Sequence, residues 1–241
     1  MNNIKLPEES LKYILFQRTH YLKDNIFFNF LTSIALLRYI GLVWFHSLST
    51  ELKIFFYGPE IKREYNKDIE FEYSTIKDYF LEDAKSVLDI GCGVAGIDVL
   101  ISKHYSNNIN IFLIDKTYTN KKIYYGFKRK ASFYNSLDIS KNVLELNGVS
   151  SDNIFIQEAN DNNSIDFKES FDIVISLISW GFHYPVFTYL DSVYDKLNQN
   201  GILIIDVKKS TGGEKEIEKK FGNYKVIFEN KEMIRVLAKK S

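Results

Sequence analysis

Short apolar runs divide the chain from about residue 83 onward. These runs are separated by stretches long enough for helices, and they predict buried strands at 86–90, 110–114, 153–157, 171–176 and 201–206. A regular alternation of strand and helix is typical of a doubly wound sheet whose strands run parallel. The pattern therefore predicts an α/β fold for this part of the chain.

The last two apolar runs follow a different arrangement. Residues 224–228 and 232–237 are separated by only three residues, 229–231. Because a parallel pair needs a crossover of about a dozen residues or more, these two strands must pair antiparallel. We expect a mostly parallel, seven-stranded sheet that is closed by a C-terminal antiparallel hairpin.

The N-terminal part predicts helices. Residues 26–45 are largely apolar and about as long as a membrane span. Arg38 lies near their centre, where an arginine costs about 2.5–3.5 kcal/mol on insertion scales, so we expect a buried or interface helix with no membrane span. The turn dipeptide Gly58-Pro59 predicts a break. We expect a helical cap at 1–82, through which the protein could form a homo-oligomer, and a catalytic domain at 83–241.

Composition narrows the choice of partners and location. The formal net charge is zero and the pI is about 6.9, which gives no electrostatic argument for nucleic acid as the main partner. Cys92 is the single cysteine, which excludes an intramolecular disulfide, and the four histidines show no metal-ligand spacing, so no metal is expected. The first ten residues lack a basic segment followed by an apolar core, so we expect a cytoplasmic protein.

The most informative stretch is Val87–Gly96. An apolar strand carrying Asp89 breaks there into a turn with Gly91 and Gly93, and a helix begins near Gly96. Glycines let the backbone turn sharply and approach a ligand that a Cβ would block. The pattern indicates a turn that holds a nucleotide-like cofactor against a strand end.

The run LDIGCG at 88–93 resembles motif I of the class I S-adenosylmethionine-dependent methyltransferases, usually written D-x-G-x-G. The resemblance implies S-adenosylmethionine as cofactor and places the acidic residue, here Asp89, near the cofactor's methionine end. Dinucleotide-binding domains share the spacing Gly91-x-Gly93-x-x-Gly96, but Asp89 and the C-terminal hairpin disfavour an oxidoreductase. The helical cap also resembles those that class I methyltransferases place over the substrate.

Two later segments add candidate cofactor contacts. Asp115 ends the second strand, 24 residues after Gly91, where its two oxygens could accept hydrogen bonds from both ribose hydroxyls. At 153–160 the family's usual Asp-Ala reads Glu158-Ala159, so either Glu158 or Asn160 could contact the adenine.

The strand 171–176 resembles methyltransferase motif IV. The (N/D)PPY tetrapeptide of DNA and protein-glutamine N-methyltransferases is absent after it, which argues against amide or exocyclic-amine methylation. In its place stands the polar and aromatic loop 179–185, which resembles that of bacterial small-molecule and sugar O-methyltransferases. His183 is either a general base or a structural residue of this loop. Trp180 and Tyr184 form either a platform for a sugar or an anchor in the core.

The insert 119–135 mixes basic and aromatic residues. Such a mixture can bind RNA, hold the phosphates of an acidic small molecule, or form a solvated basic loop. Tyr134 and Asn135 stand at the opening of the helix that follows, on the cofactor side.

These observations favour an enzyme that uses S-adenosylmethionine to methylate a small-molecule acceptor at a hydroxyl oxygen, for example of a sugar or a phosphorylated compound. An RNA methyltransferase that uses the insert 119–135 and a non-catalytic, methyltransferase-like interaction subunit are the alternatives. The expected cofactor-binding residues are Asp89, Gly91, Cys92, Gly93, Gly96, Asp115, Lys116, Glu158, Ala159, Asn160 and Ser176. The expected substrate-binding residues are Ser179, Trp180, His183, Tyr184, Tyr134 and Asn135, with His183 as the catalytic candidate.

Overall fold

The computed structural model describes residues 3–18, 21, 42–119 and 134–241, with the side chains of 42–50, 118, 119 and 134 left aside. The described strands are β1 (Ser86–Ile90), β2 (Asn110–Asp115), β3 (Tyr118–Thr119), β4 (Tyr134–Asn135), β5 (Ile154–Glu158), β6 (Phe171–Ser176), β7 (Ser179–Tyr184), β8 (Leu197–Lys208), β9 (Lys225–Glu229) and β10 (Met233–Lys239). The described α-helices are α1 (Ser10–Gln17), α2 (Leu42–Ser74), α3 (Gly96–His104), α4 (Leu137–Leu146), α5 (Phe187–Lys196) and α6 (Gly213–Phe221).

Seven of the strands form one mixed sheet. Their order is β5-β2-β1-β6-β8-β10-β9, in which the first five run parallel and β10 pairs antiparallel with both β8 and β9. This confirms the predicted fold class, including the C-terminal antiparallel pair. The chain leaves β1 toward β2 and β5 on one side and returns to β6 on the other. The carboxyl end of β1 is therefore the topological switch point, where open α/β sheets bind ligands.

Helices cover both faces of the sheet, which explains the continuous apolar character of its central strands. Along β1, Val87 packs into one hydrophobic cluster and Leu88 into the other. Leu11 of α1 and Ile61 of α2 belong to the same cluster as Val87, so the N-terminal helices share a core with the sheet. A boundary at residue 82 stays a prediction.

The predicted break at Gly58-Pro59 is wrong, because α2 continues through Pro59. A proline inside a helix costs about 3 kcal/mol. The side chains of Ile61, Tyr65 and Ile69, each 2–3% exposed, follow it at helical spacing. Burying each such side chain contributes about 1.5–3 kcal/mol, and their sum exceeds the cost of the proline.

Two further expectations differ from the structure. The segment that was expected as a loop at 179–185 is largely a strand, β7. The helix expected to open at 133–136 begins at Leu137, and Tyr134–Asn135 form the short strand β4, which pairs antiparallel with β3. Residues 26–41 of the apolar segment and 120–133 of the basic insert lie outside the described residues. None of the described helices is long and apolar enough to cross a membrane.

Candidate functional site

The glycine turn lies at the carboxyl end of β1. Gly91 has φ 82° and Gly93 has φ 54°, conformations that residues with a Cβ adopt at a cost. The Gly91 N–H donates to Ile114 O at the end of β2, at 2.7 Å, which fixes the turn to the neighbouring strand. Ala95 continues the left-handed backbone with φ 59° and leads directly into α3. The turn is thus a fixed loop between β1 and α3.

Asp115 lies beside this turn, as its position at the end of β2 predicts. Its Oδ2 accepts hydrogen bonds from Gly93 N at 2.8 Å and from Asn135 Nδ2 at 3.0 Å, and its Oδ1 accepts one from Lys116 N at 2.7 Å. Burial raises the pKa of Asp115 to about 6, while these donors act in the opposite direction. The carboxyl group is therefore mostly ionised at pH 7, which suits an acceptor of hydroxyl hydrogen bonds.

Three small side chains pack within or against the glycine turn. Asn135 Nδ2 donates to Gly93 O at 2.5 Å, and Ser140 Oγ donates to the same carbonyl at 2.6 Å. Cys92 is buried, and burial raises the pKa of its thiol well above the usual range, which fits a packing role. Sequence reasoning pointed to Asn135 and Cys92 but missed Ser140, whose position in α4 gives no local pattern.

The N-terminal helices reach the turn from the other side. A Cβ on Gly96 would lie 2.8 Å from the ring of Tyr65 and closer still to its hydroxyl, and the Gly96 backbone N–H donates a hydrogen bond to that hydroxyl. A Cβ on Gly93 would lie 2.8 Å from Gln17 Oε1. Sequence reasoning missed Tyr65 and Gln17, because their approach depends on how the cap packs.

Buried carboxyl groups flank the same turn. Asp89 is 3% exposed and Asp98, in the first turn of α3, is 0% exposed. Asp89 was predicted, whereas Asp98 was missed. A single charged residue inside the otherwise apolar run 97–101 was the sequence pattern that could have revealed it.

The predicted substrate segment begins with Ser179, which lies against Gly91 of the glycine turn. A Cβ on Gly91 would lie 2.5 Å from Ser179 Cβ and closer still to Ser179 Oγ. The side chains of Tyr184 and Ser179 share a hydrogen bond, and burial raises the pKa of Tyr184 well above the usual range. Both hydroxyls therefore lie near the glycine turn. His183 is half-buried in the same strand, with its ring 4.9 Å from that of Phe182.

Two expected contacts are occupied within the protein. Trp180 is fully buried, and its Nε1 donates to Val186 O at 2.8 Å, so it anchors the segment in the core and does not offer a platform to a sugar. Ser176 Oγ donates to Ile90 O at 2.7 Å and accepts from Trp180 N at 3.0 Å. Ser176 thus links strands beneath the site, because its hydroxyl is buried among backbone groups.

The expected adenine contacts are placed at the ends of β2 and β5. The Glu158 carboxylate is exposed and accepts a hydrogen bond from Thr117 N at 2.9 Å, while Ala159 N donates to Asp115 O at 2.8 Å. Asn160 Nδ2 donates to Ser164 Oγ at 2.7 Å, and Asn160 Oδ1 accepts from Ser164 N at 3.2 Å. Lys116 Nζ lies 3.8 Å from Asp161 Oδ1. Of the two alternatives, Glu158 has the more accessible polar group.

An unpredicted feature precedes the substrate strand. Ile178 has φ 53°, which is an outlier for a β-branched residue. Its N–H donates to Asp206 Oδ2 at 3.0 Å, and the Asp206 carboxylate is held by Arg235 at 2.7 and 2.8 Å. This buried ion pair fixes the turn between β6 and β7, and therefore the position of Ser179.

Comparison with known proteins identifies the fold. No protein-family model and no curated protein matches this chain. Solved structures do match. Precorrin-6y C5,15-methyltransferase from Geobacter metallireducens has a TM-score of 0.51 at 19% identity, covering 71% of this chain and 88% of that one. The O-methyltransferase domain StiE O-MT has a TM-score of 0.53 at 12% identity, covering 79% and 81%. An O-methyltransferase family protein from Burkholderia thailandensis has a TM-score of 0.52 at 9% identity, covering 76% and 60%.

This chain has the class I methyltransferase fold. Gly91, Gly93 and Asp115 meet at the carboxyl end of β1, which is the topological switch point of this sheet. At these levels of identity the likeness concerns the fold, and the chemistry must be argued from the residues.

Proposed function

We propose that this protein is an S-adenosylmethionine-dependent methyltransferase that acts on a hydroxyl oxygen of a small molecule. The observation that carries the proposal is the position of Asp115. Its carboxylate lies at the switch point, with Oδ2 2.8 Å from Gly93 N. Oδ2 already accepts two hydrogen bonds, whereas Oδ1 accepts the one from Lys116 N and keeps an acceptor site for a ribose hydroxyl. An adenosine-containing cofactor is the ligand class that this arrangement favours.

The residues around the turn fit the remaining parts of such a cofactor. Ser179 and Gln17 pack against the glycine turn where Cβ atoms of Gly91 and Gly93 would lie, so polar side chains line the turn, and the exposed Glu158 carboxylate can accept a hydrogen bond from the adenine amine. Asp89 Oδ1 is buried without a hydrogen-bond partner among the described residues, so a polar or cationic group of the ligand has an acceptor there. S-Adenosylmethionine supplies a methyl group on a sulfonium when it is bound.

The acceptor side is formed by β7. Ser179, at its start, lies against Gly91, and its side chain shares a hydrogen bond with Tyr184, at the end of the strand; such hydroxyl groups can orient a hydroxylated acceptor by hydrogen bonds. The absence of an (N/D)PPY tetrapeptide supports oxygen over amide nitrogen as the acceptor atom. Two of the structures that share the fold are named as O-methyltransferases, which supports the same choice. His183, in the same strand, is our candidate to accept the hydroxyl proton.

Calorimetric titration with S-adenosylmethionine, S-adenosylhomocysteine and NAD tests the cofactor. We expect micromolar binding of the two sulfur compounds and none of NAD. Asp115→Ala should weaken that binding, whereas Asp161→Ala, which removes a fully exposed aspartate nearby, should not. NAD binding alone would overturn the proposal. If none of the three ligands binds and the protein forms stable oligomers, the non-catalytic subunit would be favoured.

Transfer of a labelled methyl group to a panel of hydroxylated small molecules and to RNA tests the acceptor. We expect labelled small molecules, and we expect His183→Gln to lower kcat by about 10²–10⁴-fold while leaving cofactor affinity unchanged. His104→Gln is the control, because His104 ends α3 at the end opposite the glycine turn. Labelling of RNA alone would refute the small-molecule acceptor. Unchanged turnover of His183→Gln would remove the base assignment.

A further inference from the structure

One buried arginine connects the sheet beside β7 with the N-terminal helices. Arg235 of β10 is 1% exposed, and Asp206 of β8, which it faces, is 0% exposed. Arg235 Nε donates to Asp206 Oδ1 at 2.7 Å, and Nη2 donates to Asp206 Oδ2 at 2.8 Å. The remaining nitrogen, Nη1, donates to Thr75 Oγ1 at 2.5 Å and to Glu72 O at 3.4 Å. Arg235 therefore binds β8 and the C-terminal end of α2 at the same time.

On one side, the ion pair holds a strained turn. Asp206 Oδ2 accepts a hydrogen bond from Ile178 N at 3.0 Å, and Ile178 has φ 53°, which costs a β-branched residue free energy. The next residue is Ser179, whose side chain lies against Gly91 of the glycine turn. Strain of this kind persists only where the surrounding structure holds it, and it is common at functional sites. The ion pair thus fixes the residue that precedes the proposed acceptor contact.

On the other side, the contacts of the same arginine lead to the N-terminal helices. Glu72, whose carbonyl oxygen faces Arg235, is 7% exposed, and its Oε1 accepts a hydrogen bond from Arg18 Nη2 at 2.9 Å. Arg18 directly follows Gln17, whose Oε1 would lie 2.8 Å from a Cβ on Gly93. The polar contacts that start at Arg235 therefore reach the glycine turn from the helical cap as well as from β7.

We propose that Arg235 is a positioning residue for methyl transfer, which sets how β7 and the N-terminal helices lie relative to each other across the glycine turn. It thereby determines where Ser179 meets the acceptor. The inference rests on the proposed function and adds a residue that is remote in sequence from the glycine turn. In-line transfer depends on alignment, and a misplacement of about 1 Å can lower a rate about 10²-fold. A guanidinium suits this role, because its planar fork holds a carboxylate by two bonds while a third nitrogen bonds elsewhere.

Ile178→Gly separates positioning from stability. Glycine adopts a positive φ without strain, so the variant should unfold at a higher urea concentration, but its turn should hold Ser179 less firmly. With a methyl acceptor from the panel, we expect kcat to fall about tenfold, because the acceptor is less well aligned. The affinity for S-adenosylhomocysteine should stay unchanged. A merely structural role would move stability and kcat in the same direction, so an unchanged kcat would overturn the proposal.

Asn200→Gly is the matched control for this variant. Asn200 also has a left-handed backbone, with φ 65°, and its side chain is exposed. It lies near the start of β8, which runs parallel to β6, and β6 runs parallel to β1. Asn200 is therefore at the end of the sheet away from the glycine turn, and Asn200→Gly should leave kcat unchanged. An equal loss of kcat in both glycine variants would refute the role assigned to the turn at Ile178.

Thr75→Val tests the branch toward the helical cap. Valine has nearly the same shape but lacks the hydroxyl oxygen that accepts from Arg235. Hydrogen exchange of the Ile178 amide reports how firmly the turn is held, and it needs no acceptor. We expect this amide to exchange about fivefold faster, the effect of losing one ordinary hydrogen bond. Unchanged exchange would show that Arg235 does not link the two sides and would overturn the proposal.

Thr211→Val is the matched control for Thr75→Val. Each threonine Oγ1 donates to the carbonyl oxygen three residues before it, at 2.6 Å from Thr75 and at 2.7 Å from Thr211. Thr211 is exposed, so its hydroxyl group is not part of the buried contacts of Arg235. Its replacement should leave the exchange of the Ile178 amide unchanged. Equal acceleration by the two valine variants would contradict the proposed link.

Arg235→Lys tests the residue itself. Lysine keeps the positive charge, but its single nitrogen cannot bond both Asp206 oxygens in the planar geometry of a guanidinium while also holding Thr75. Where the variant is folded, we expect a lower kcat at unchanged affinity for S-adenosylhomocysteine, and a wild-type kcat would overturn the proposal. If the variant does not fold, Ile178→Gly and Thr75→Val still decide the question.

The outcomes separate this inference from the proposed function. Absence of both S-adenosylhomocysteine binding and methyl transfer in the wild-type protein would remove both. Methyl transfer with an unchanged kcat in Ile178→Gly would leave the proposed function and remove the positioning role. If S-adenosylhomocysteine binds but the panel contains no acceptor, the exchange of the Ile178 amide in Thr75→Val decides.

Discussion

Gly91→Ala tests whether the substrate strand is seated on the glycine turn. Two separate penalties apply at this position. Gly91 has φ 82°, and a left-handed backbone costs a residue with a Cβ about 1–2 kcal/mol. The new Cβ would also lie 2.5 Å from Ser179 Cβ, and overpacking of this kind costs about 1–3 kcal/mol. We expect a total loss of about 2–5 kcal/mol.

A matched substitution isolates the first penalty. Gly212 has φ 80°, close to that of Gly91, in the left-handed α region, but a Cβ there would meet nothing within 4 Å. Gly212→Ala should therefore cost only the backbone strain, about 1–2 kcal/mol. The difference between the two variants measures the contact with Ser179.

Urea unfolding of the single variants and of Gly91→Ala with Ser179→Gly forms a double-mutant cycle. Removing the Ser179 side chain opens the space that the new methyl group needs, so we expect a coupling energy of about 1–3 kcal/mol. The unfolding midpoint of the double variant should move back toward that of Ser179→Gly. Additive losses, or equal losses for Gly91→Ala and Gly212→Ala, would show that Ser179 does not lie over the turn.

Three further predictions follow from the described contacts. Arg235→Met should cost about 3–5 kcal/mol in urea unfolding, because it leaves the buried Asp206 carboxylate without its cation, and a loss below 1 kcal/mol would contradict this. Ile178→Gly should raise stability by about 1 kcal/mol by relieving the left-handed strain, whereas Ile178→Val should not, and equal midpoints for the two variants would disprove the strain. Because burial raises the folded-state pKa of Asp115 to about 6, above its ordinary value, the carboxylate is present above that pH, so calorimetric affinity for 5′-methylthioadenosine should fall as the pH drops through 6. A flat profile from pH 5 to 7 in the wild-type protein would exclude a role for the Asp115 carboxylate.

The strands of the seven-stranded sheet could be predicted from the amino-acid sequence. Its central strands are buried on both faces, so each appears as a continuous apolar run, as at 86–90 and 171–176. The short connection at 229–231 required an antiparallel end, because no crossover fits in three residues. Asp89, Gly91 and Asp115 could also be found, since they follow strand ends that meet at one edge of the sheet.

Other elements depended on packing that no local pattern contains. Pro59 predicts a break, but the helix persists because the buried face that follows it contributes more than the proline costs. The sequence of β7 predicts a polar loop, whereas the structure shows a strand with Trp180 in the core. In each case long-range burial outweighed the local preference.

In the candidate site, too, some residues could be predicted from the sequence and others could not. The residues that shape it from a distance in sequence, such as Tyr65 of α2 and Ser140 of α4, come together only when the helices pack on the sheet. The pairing of Asp89 with Asp98 is likewise tertiary, because it depends on α3 folding back over β1. The strand ends at which the candidate site lies could be predicted from the sequence. Which side chains face one another there depends on the tertiary structure, since burial and charge proximity exist only in the folded chain.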